Sequence, residues 1–380
     1  MSQTQPSGGG LSAGRIVTMR KKISAAFIAI ILMALTAAGQ KLEPPQLEPT
    51  PSTESQKQLI REGIALHDDG DYAGAISRYE KVLKENPNNI EALYEMAFSS
   101  YTAKDYTKAL TLGYKAAQYK SPLLDQTYVM LGNCYDDSGD PKKAVEVYKA
   151  GIKLSPSSAL LQYNLAITYL GAQQLEESKA AAKRSAALNP DHPSSQLLLS
   201  TLFDRGSYRI PSLLAALRFL VLEPNSNRSD AALERVRKIM QAGVSQGQDG
   251  GNISIVVGTG QKKDEGDFES VELYMGLMKA ANYTEKNKDK TEMQLLAANF
   301  ESLFAFLSES RNKGDRSKFT WTYYLPYFLE MKNRGHTEVF AYFINQRSDL
   351  PEINTWLQLH KNKVSDFLAW SRGYQWPKVD

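Results

Sequence analysis

Five prolines recur at a nearly constant interval, Pro87, Pro122, Pro156, Pro190 and Pro224, with gaps of 35, 34, 34 and 34 residues. A fixed period in this range marks a stacked repeat whose unit is a hairpin of two helices. This leaves the chain little choice of fold. A single hairpin cannot bury its own apolar face, so the copies must stack and cover one another. A stack of this kind offers a curved surface to another molecule, without saying which.

The copies fall at 56–89, 90–124, 125–158, 159–192 and 193–226. The third carries Tyr128, Leu131-Gly132, Tyr135, Gly139-Asp140-Pro141, Ala144, Tyr148 and Pro156. The first gives Gly63, Gly70-Asp71-Tyr72, Ala75, Tyr79 and Pro87, and the second Ala97, Asp105-Tyr106, Ala109 and Ala116. The fourth keeps Leu165-Ala166, Tyr169, Leu175 and Pro190, and the fifth only Leu199-Ser200, Phe203, Ala216 and Pro224. This spacing resembles the tetratricopeptide repeat, and the resemblance covers residues 56–226. Departures are Gln162 and Gln196 at the first aromatic position and Ser185 at a small-residue position.

The residues support the same reading without the family. Small residues at Gly63, Ala97, Gly132 and Ala166 allow the first helix of a hairpin to approach its neighbour, with Leu66, Tyr72, Tyr106 and Tyr135 as apolar bulk between layers. Asp71, Asp105 and Asp140 stand where a carboxylate caps the second helix, and Pro141 follows at the first turn, where no N–H is needed. Asn86-Pro87, Ser155-Pro156 and Asn189-Pro190 end that helix, because a residue before proline avoids helical angles.

Composition narrows the partner. The chain holds 45 Lys and Arg against 42 Asp and Glu, but Arg15, Arg20, Lys21 and Lys22 all precede residue 40. Without residues 1–39 it holds 41 basic and 42 acidic residues, and no segment carries the basic footprint that a nucleic acid requires. Arg20-Lys21-Lys22, the apolar run Ile23–Leu35 and the small residues Thr36–Gly39 have the layout of an export signal. The run is shorter than the roughly 20 residues that cross a bilayer. Met19 is the expected start, with residues 1–18 a mis-assigned extension. Residues 40–55, with four prolines, read as a stiff extended linker. The expected location is the bacterial periplasm or the exterior, with no membrane contact once the signal is removed.

After residue 226 the period is lost. A helix from Asp230 to about Ala242 is placed to close the stack, and Asn252–Val257 reads as the one strand. Helical patterns resume at 267–281, 290–310, 321–333, 336–347 and 352–371. The expected fold class is therefore all-α: a solenoid of helical hairpins over 56–226, then a mostly helical domain over 227–380 with one minor strand.

The residues give little chemistry. Cys134 is the single cysteine, so it forms no disulfide within the chain. The four histidines, His67, His192, His336 and His360, lack metal-ligand spacing. Val256–Lys263 holds a Gly-x-Gly after a strand but lacks the Gly-Lys-Ser/Thr end of a phosphate loop, and Asp264-Glu265 would repel a phosphate. No enzyme, cofactor, metal or catalytic residue is expected. A hydrolase would need a carboxylate pair brought together by the fold, since pairs such as Glu269 with Glu272, or Glu301 with Glu309, are expected on solvated helix faces.

In tetratricopeptide folds the groove is lined by the first helices. Here that implies Ile60, Tyr94, Val129, Tyr163 and Leu197 on one row, then Ile64, Phe98, Asn133, Ile167 and Thr201, then His67, Tyr101, Asp136, Leu170 and Asp204. The Lys, Asn and Arg clamp for a C-terminal carboxylate seen in chaperone-binding relatives is matched by Asn133 alone. Tyr94, Phe98, Tyr101, Tyr163 and Ile167 are the expected anchors for an apolar or aromatic segment of another protein. The chain's own C-terminal domain is the competing occupant. A second class of function is carbohydrate or cell-wall binding, with Trp370 and Trp376 stacking on sugars.

Overall fold

The structure, a computed structural model, describes residues 42–241, 244–246, 253–255, 264–311 and 317–378. The expected export signal and the Val256–Lys263 loop lie outside the described residues. The chain divides into two compact units, Met1–Ser155 and Pro156–Asp380. The division falls inside the repeat array, at the third proline, and not near residue 227 where the period ends.

The first unit holds three hairpins: α1 (Glu54–Asp68) with α2 (Tyr72–Glu85), α3 (Ile90–Thr102) with α4 (Tyr106–Ala116), and α5 (Leu124–Asp137) with α6 (Pro141–Leu154). Glycine on a first helix sits under a tyrosine ring of the second. A Cβ at Gly63 would overlap the Tyr79 ring, and one at Gly132 would overlap Tyr148. Both rings are fully buried, each contributing on the order of 2 kcal/mol through removal of apolar surface from water. The carboxylates of Asp71, Asp105 and Asp140 accept the N–H groups of Gly74, Lys108 and Lys143 at 2.9, 3.0 and 3.0 Å. α2 and α6 stop immediately before Asn86 and Ser155, the residues preceding proline.

The second unit opens with hairpins α7 (Ala159–Gly171) with α8 (Leu175–Leu188) and α9 (Pro193–Arg205) with α10 (Arg209–Leu222), followed by α11 (Asn227–Gln241). All five hairpins share one device that residue identity conceals. The residue before each second-helix cap has positive φ: Gly70 85°, Lys104 63°, Gly139 91°, Gln173 61° and Ser207 64°. Only two of the five are the glycine that this conformation favours.

α10 is unlike the other second helices. Every residue from Ile210 to Val221 is buried, as expected of a helix covered on all sides. α9 and α11 flank it, and the C-terminal helices complete its cover. Hairpins four and five therefore share a core with the region beyond residue 226.

That region contains α12 (Glu269–Ala281), α13 (Glu292–Ser310), α14 (Leu325–Asn333), α15 (Thr337–Ile344), α16 (Pro351–Leu359) and α17 (Lys361–Gly373). The expected single strand is one of two, since β2 (Ile253–Ile255) pairs antiparallel with β1 (Val244–Gln246). The apolar stripe of Trp321, Tyr324, Leu325 and Phe328 is buried as expected. It is not one regular helix: Thr320–Tyr324 forms a π-helical turn, because Pro326 would clash with the carbonyl one turn back in an α-helix. The stretch expected as one helix over 352–371 breaks at His360, whose ring stacks on Trp356 at 4.1 Å.

The linker also departs from expectation. Its prolines do not hold it off the fold. The backbone N–H groups of Gln46 and Leu47 both donate to the Gln118 carbonyl at 3.0 Å, and Lys120 N–H donates to Leu47 at 2.9 Å. Lys120 Nζ meets Glu48 at 2.6 Å, and Asn89 Nδ2 donates to Ser52 at 2.7 Å. α4 ends at Ala116, well before Pro122, so the carbonyl and N–H groups of residues 118–120 are free to bond the linker.

The turn geometry makes a direct prediction. Gly139→Ala should lower unfolding free energy by about 1 kcal/mol, since a Cβ is strained at positive φ. Gln173→Gly should raise it by roughly 0.5 kcal/mol, the relieved strain being partly offset by glycine's looser unfolded chain. Urea denaturation of each variant measures both, and a loss of stability in Gln173→Gly contradicts the account.

Candidate functional site

The expected anchors do not all belong to one compact unit. Tyr94, Phe98 and Tyr101 lie on α3 in the first, and Tyr163 and Ile167 on α7 in the second.

In the first unit the three anchors join a longer run of rings. His67 stacks on Phe98 at 4.9 Å, Tyr94 lies parallel to Phe98 at 6.2 Å with 2° between planes, and Phe98 faces Tyr101 at 6.3 Å. Tyr72 meets His67 edge-on at 5.1 Å, and Tyr106 continues from Tyr101 at 6.1 Å. Tyr72 and Tyr106, expected as bulk between layers, are thus also the ends of the ladder. All six rings are half-buried, open on one side. The hydrogen bonds fix the ladder: His67 Nδ1 pairs with Ser99 Oγ at 2.8 Å, and Tyr101 donates to Asp137 Oδ2 at 2.7 Å. Asn133, the one residue of the clamp type, accepts from Tyr148 at 2.5 Å. It is held inside the packing.

Between the rings stands a carboxylate that the sequence reading missed. Glu95 falls on the stripe of Glu91, Tyr94 and Phe98, the spacing that puts side chains on one helix face. Burial, followed by the like charges of Glu91 and Asp68, pushes its pKa up to about 7. Tyr94 is raised to about 12 by burial and by Glu95. The sequence signal was available: two acids four residues apart repel, and these two flank an aromatic that was already singled out.

In the second unit Tyr163 meets His192 edge-on at 5.0 Å, and Leu160 and Ile167 on the same helix remain 40% and 38% exposed. The C-terminal region packs on α8 and α10 and on the start of α9, and leaves these two side chains exposed. Tyr323 donates to the Ala186 carbonyl at 2.7 Å, and Tyr324 to Gln196 at 2.6 Å. Lys179 and Lys183 hold the buried Glu265 at 3.0 and 2.6 Å.

The C-terminal aromatics are committed within this unit. Tyr327 is stacked by Trp370 at 4.9 Å and by Trp376 at 5.0 Å. Arg218, on α10 and 1% exposed, lies 4.9 Å from the Tyr327 and Trp376 ring centres and reaches Asp191 at 2.6 Å. A guanidinium lying against two stacked rings and paired with a carboxylate is a strong internal tie. The tryptophans expected as a sugar platform thus spend their faces on the protein itself.

Other candidates are accounted for similarly. Glu272 is buried and paired with Arg209 at 2.7 Å, and Glu301 meets Lys332 at 3.4 Å. Cys134 is buried, with its thiol pushed up to about 12 by desolvation. Among the described residues no group of three or more potential ligands is arranged to hold a metal ion, and no helix is long and apolar enough to cross a membrane.

Comparison with known proteins agrees with the geometry. Residues 66–112 and 137–202 match the family model described as tetratricopeptide repeat. The small glutamine-rich tetratricopeptide repeat-containing protein 2 of Mycosarcoma maydis is 29% identical over 137 residues, covering 34% of this chain and 38% of that protein. BBSome complex member BBS4 of Bos taurus is 30% identical over 114 residues, covering 30% of this chain and 21% of that protein. The chain thus spans well under half the length of these relatives. Among solved structures, a thermophilic tetratricopeptide-repeat protein of Thermus thermophilus aligns with a TM-score of 0.40 and 22% identity, covering 48% of this chain and 99% of that one. Residues 66–112 and 137–202 thus belong to tetratricopeptide repeats, the helical hairpins described above.

Two outcomes are expected. Glu95 is more acidic unfolded than folded, so the stability of its neutral form is present below about pH 4.5 and lost as pH rises through 7. Glu95→Gln should therefore match the parent in melting temperature at pH 4 and exceed it at pH 8; equal values at both would refute the shift. Trp376→Ala should cost about 2 kcal/mol, less than a fully buried tryptophan because the ring is half-exposed, and unfolding by urea measures it.

Proposed function

We propose that this chain is a non-enzymatic adaptor whose first-helix face binds an apolar or aromatic segment of another protein. The half-exposed ladder Tyr94–Phe98–Tyr101 carries the reading, since exposed aromatic patches mark interaction sites and a face held by helices loses little entropy on binding. The near-neutral charge after residue 39 argues for a protein partner over a nucleic acid. The tail packs on α8, α10 and the start of α9 while Leu160 and Ile167 on α7 stay exposed, which supports the guest reading over self-occupancy for the second unit.

The adaptor works outside the cytoplasm, in the periplasm or beyond the cell. Arg20-Lys21-Lys22 and the apolar run after it support this part; fusion of residues 19–55 to a reporter that is active only after export tests it separately.

For the binding face, a photo-reactive residue at Phe98 should crosslink one partner in native-host extracts, while the same residue at exposed Lys81 on α2 should not. Tyr94→Ala with Phe98→Ala should lower capture at least tenfold while the helical signal persists. Equal crosslinking from both positions would remove the face from consideration.

A further inference from the structure

The rings of α3 stand among carboxylates that lack a cation. Glu91 and Glu95 sit on the same stripe as Tyr94 and Phe98, and Asp68 closes the end of α1 beside His67. Among the described residues none of the three enters an ion pair. The basic side chains at the corresponding places on α1 are engaged elsewhere, Lys57 with Glu54 at 2.7 Å and Arg61 with Gln58 at 2.8 Å. Glu95 feels Glu91 and Asp68 as its charged neighbours and no Lys or Arg.

A second observation points the same way. The Tyr79 side chain is wholly buried, and its hydroxyl lacks a well-formed hydrogen bond, with Ser99 as its one polar neighbour. Glu95, Asp68 and Glu91 are the charges that act on it, so a poorly satisfied polar group stands within the field of the same cluster. Ser99, which also lies close, is engaged by His67. Buried polar groups are almost always satisfied, and a half-buried carboxylate such as Glu95 beside like charges is costly without a counter-charge.

We propose that this face recognises an arginine within an apolar segment of the partner, the guanidinium stacking on the parallel rings of Tyr94 and Phe98 and pairing with Glu95 and Glu91. The proposal deepens the adaptor reading and rests on it. A guanidinium meets both demands at once, since it is planar enough to stack on aromatic faces and forks its donors to a carboxylate. A lysine ammonium supplies the charge but not the stacking plane. An acidic or purely apolar guest would leave Glu95 and Glu91 uncompensated under a cover that excludes water.

The test uses the full chain and fluorescein-labelled twelve-residue peptides of alternating leucine and serine with one central arginine, lysine, glutamine or glutamate. At pH 8 the arginine peptide should bind at least tenfold more tightly than the glutamine peptide, with lysine between them and glutamate weakest. In the Glu91→Gln, Glu95→Gln double variant, checked for a melting temperature no lower than the parent's, the arginine and glutamine peptides should bind alike. If arginine and glutamine peptides bind the parent equally, and both are lost in Phe98→Ala, the arginine proposal fails and the apolar groove stands. If no peptide binds, or Phe98→Ala changes nothing, both fail.

Discussion

The contact between a small residue on one helix and a ring or small residue on the next governs this architecture. Gly63 under Tyr79 and Gly132 under Tyr148 bring two helices close enough to exclude water between them. Hairpins two and four reach closeness differently, with Ala97 and Gly113, then Ala166 and Ala182, at the matching positions. With that spacing fixed, aspartate caps, positive-φ turns and proline stops need only repeat to reproduce the hairpin. Each is worth about a kilocalorie or two alone; together they make the hairpin the default local structure.

The same frame explains why the ring-bearing face of α3 is strained. Residues toward the second helix are chosen for packing, which leaves the other side of α3 free to carry rings and carboxylates. Tyr94, Glu95 and Phe98 occupy that side at a cost, visible in a glutamate held near neutrality. Under the proposed reading, stability and recognition would compete on this one turn of helix, as they commonly do where titration is perturbed.

Much of this was readable before any coordinates. Proline spacing gave the period, Asp71, Asp105 and Asp140 the starts of second helices, and Asn86-Pro87 and Ser155-Pro156 their ends, because these are local rules acting over a few residues. Tyr94, Phe98 and Tyr101 followed from the family's groove positions and do come together. What escaped reading depends on partners distant in sequence. Burial of α10 on every side requires helices more than a hundred residues away, and the docked linker requires α4 to end early. Glu95 was passed over because its raised pKa comes from burial and from Asp68, a like charge on a different helix. The C-terminal aromatics were legible as apolar, but their stacking on Tyr327 required the register of the tail.

The enclosure of α10 has an evolutionary consequence. In an array where each copy touches only its neighbours, copies can be gained or lost by duplication with little penalty. A helix clasped by downstream segments ends that freedom, because deleting or repeating it would strip the cover from ten apolar side chains. Duplication or loss is thereby least costly among the hairpins before Pro156, while the later ones are tied to the region that follows them like a single heirloom.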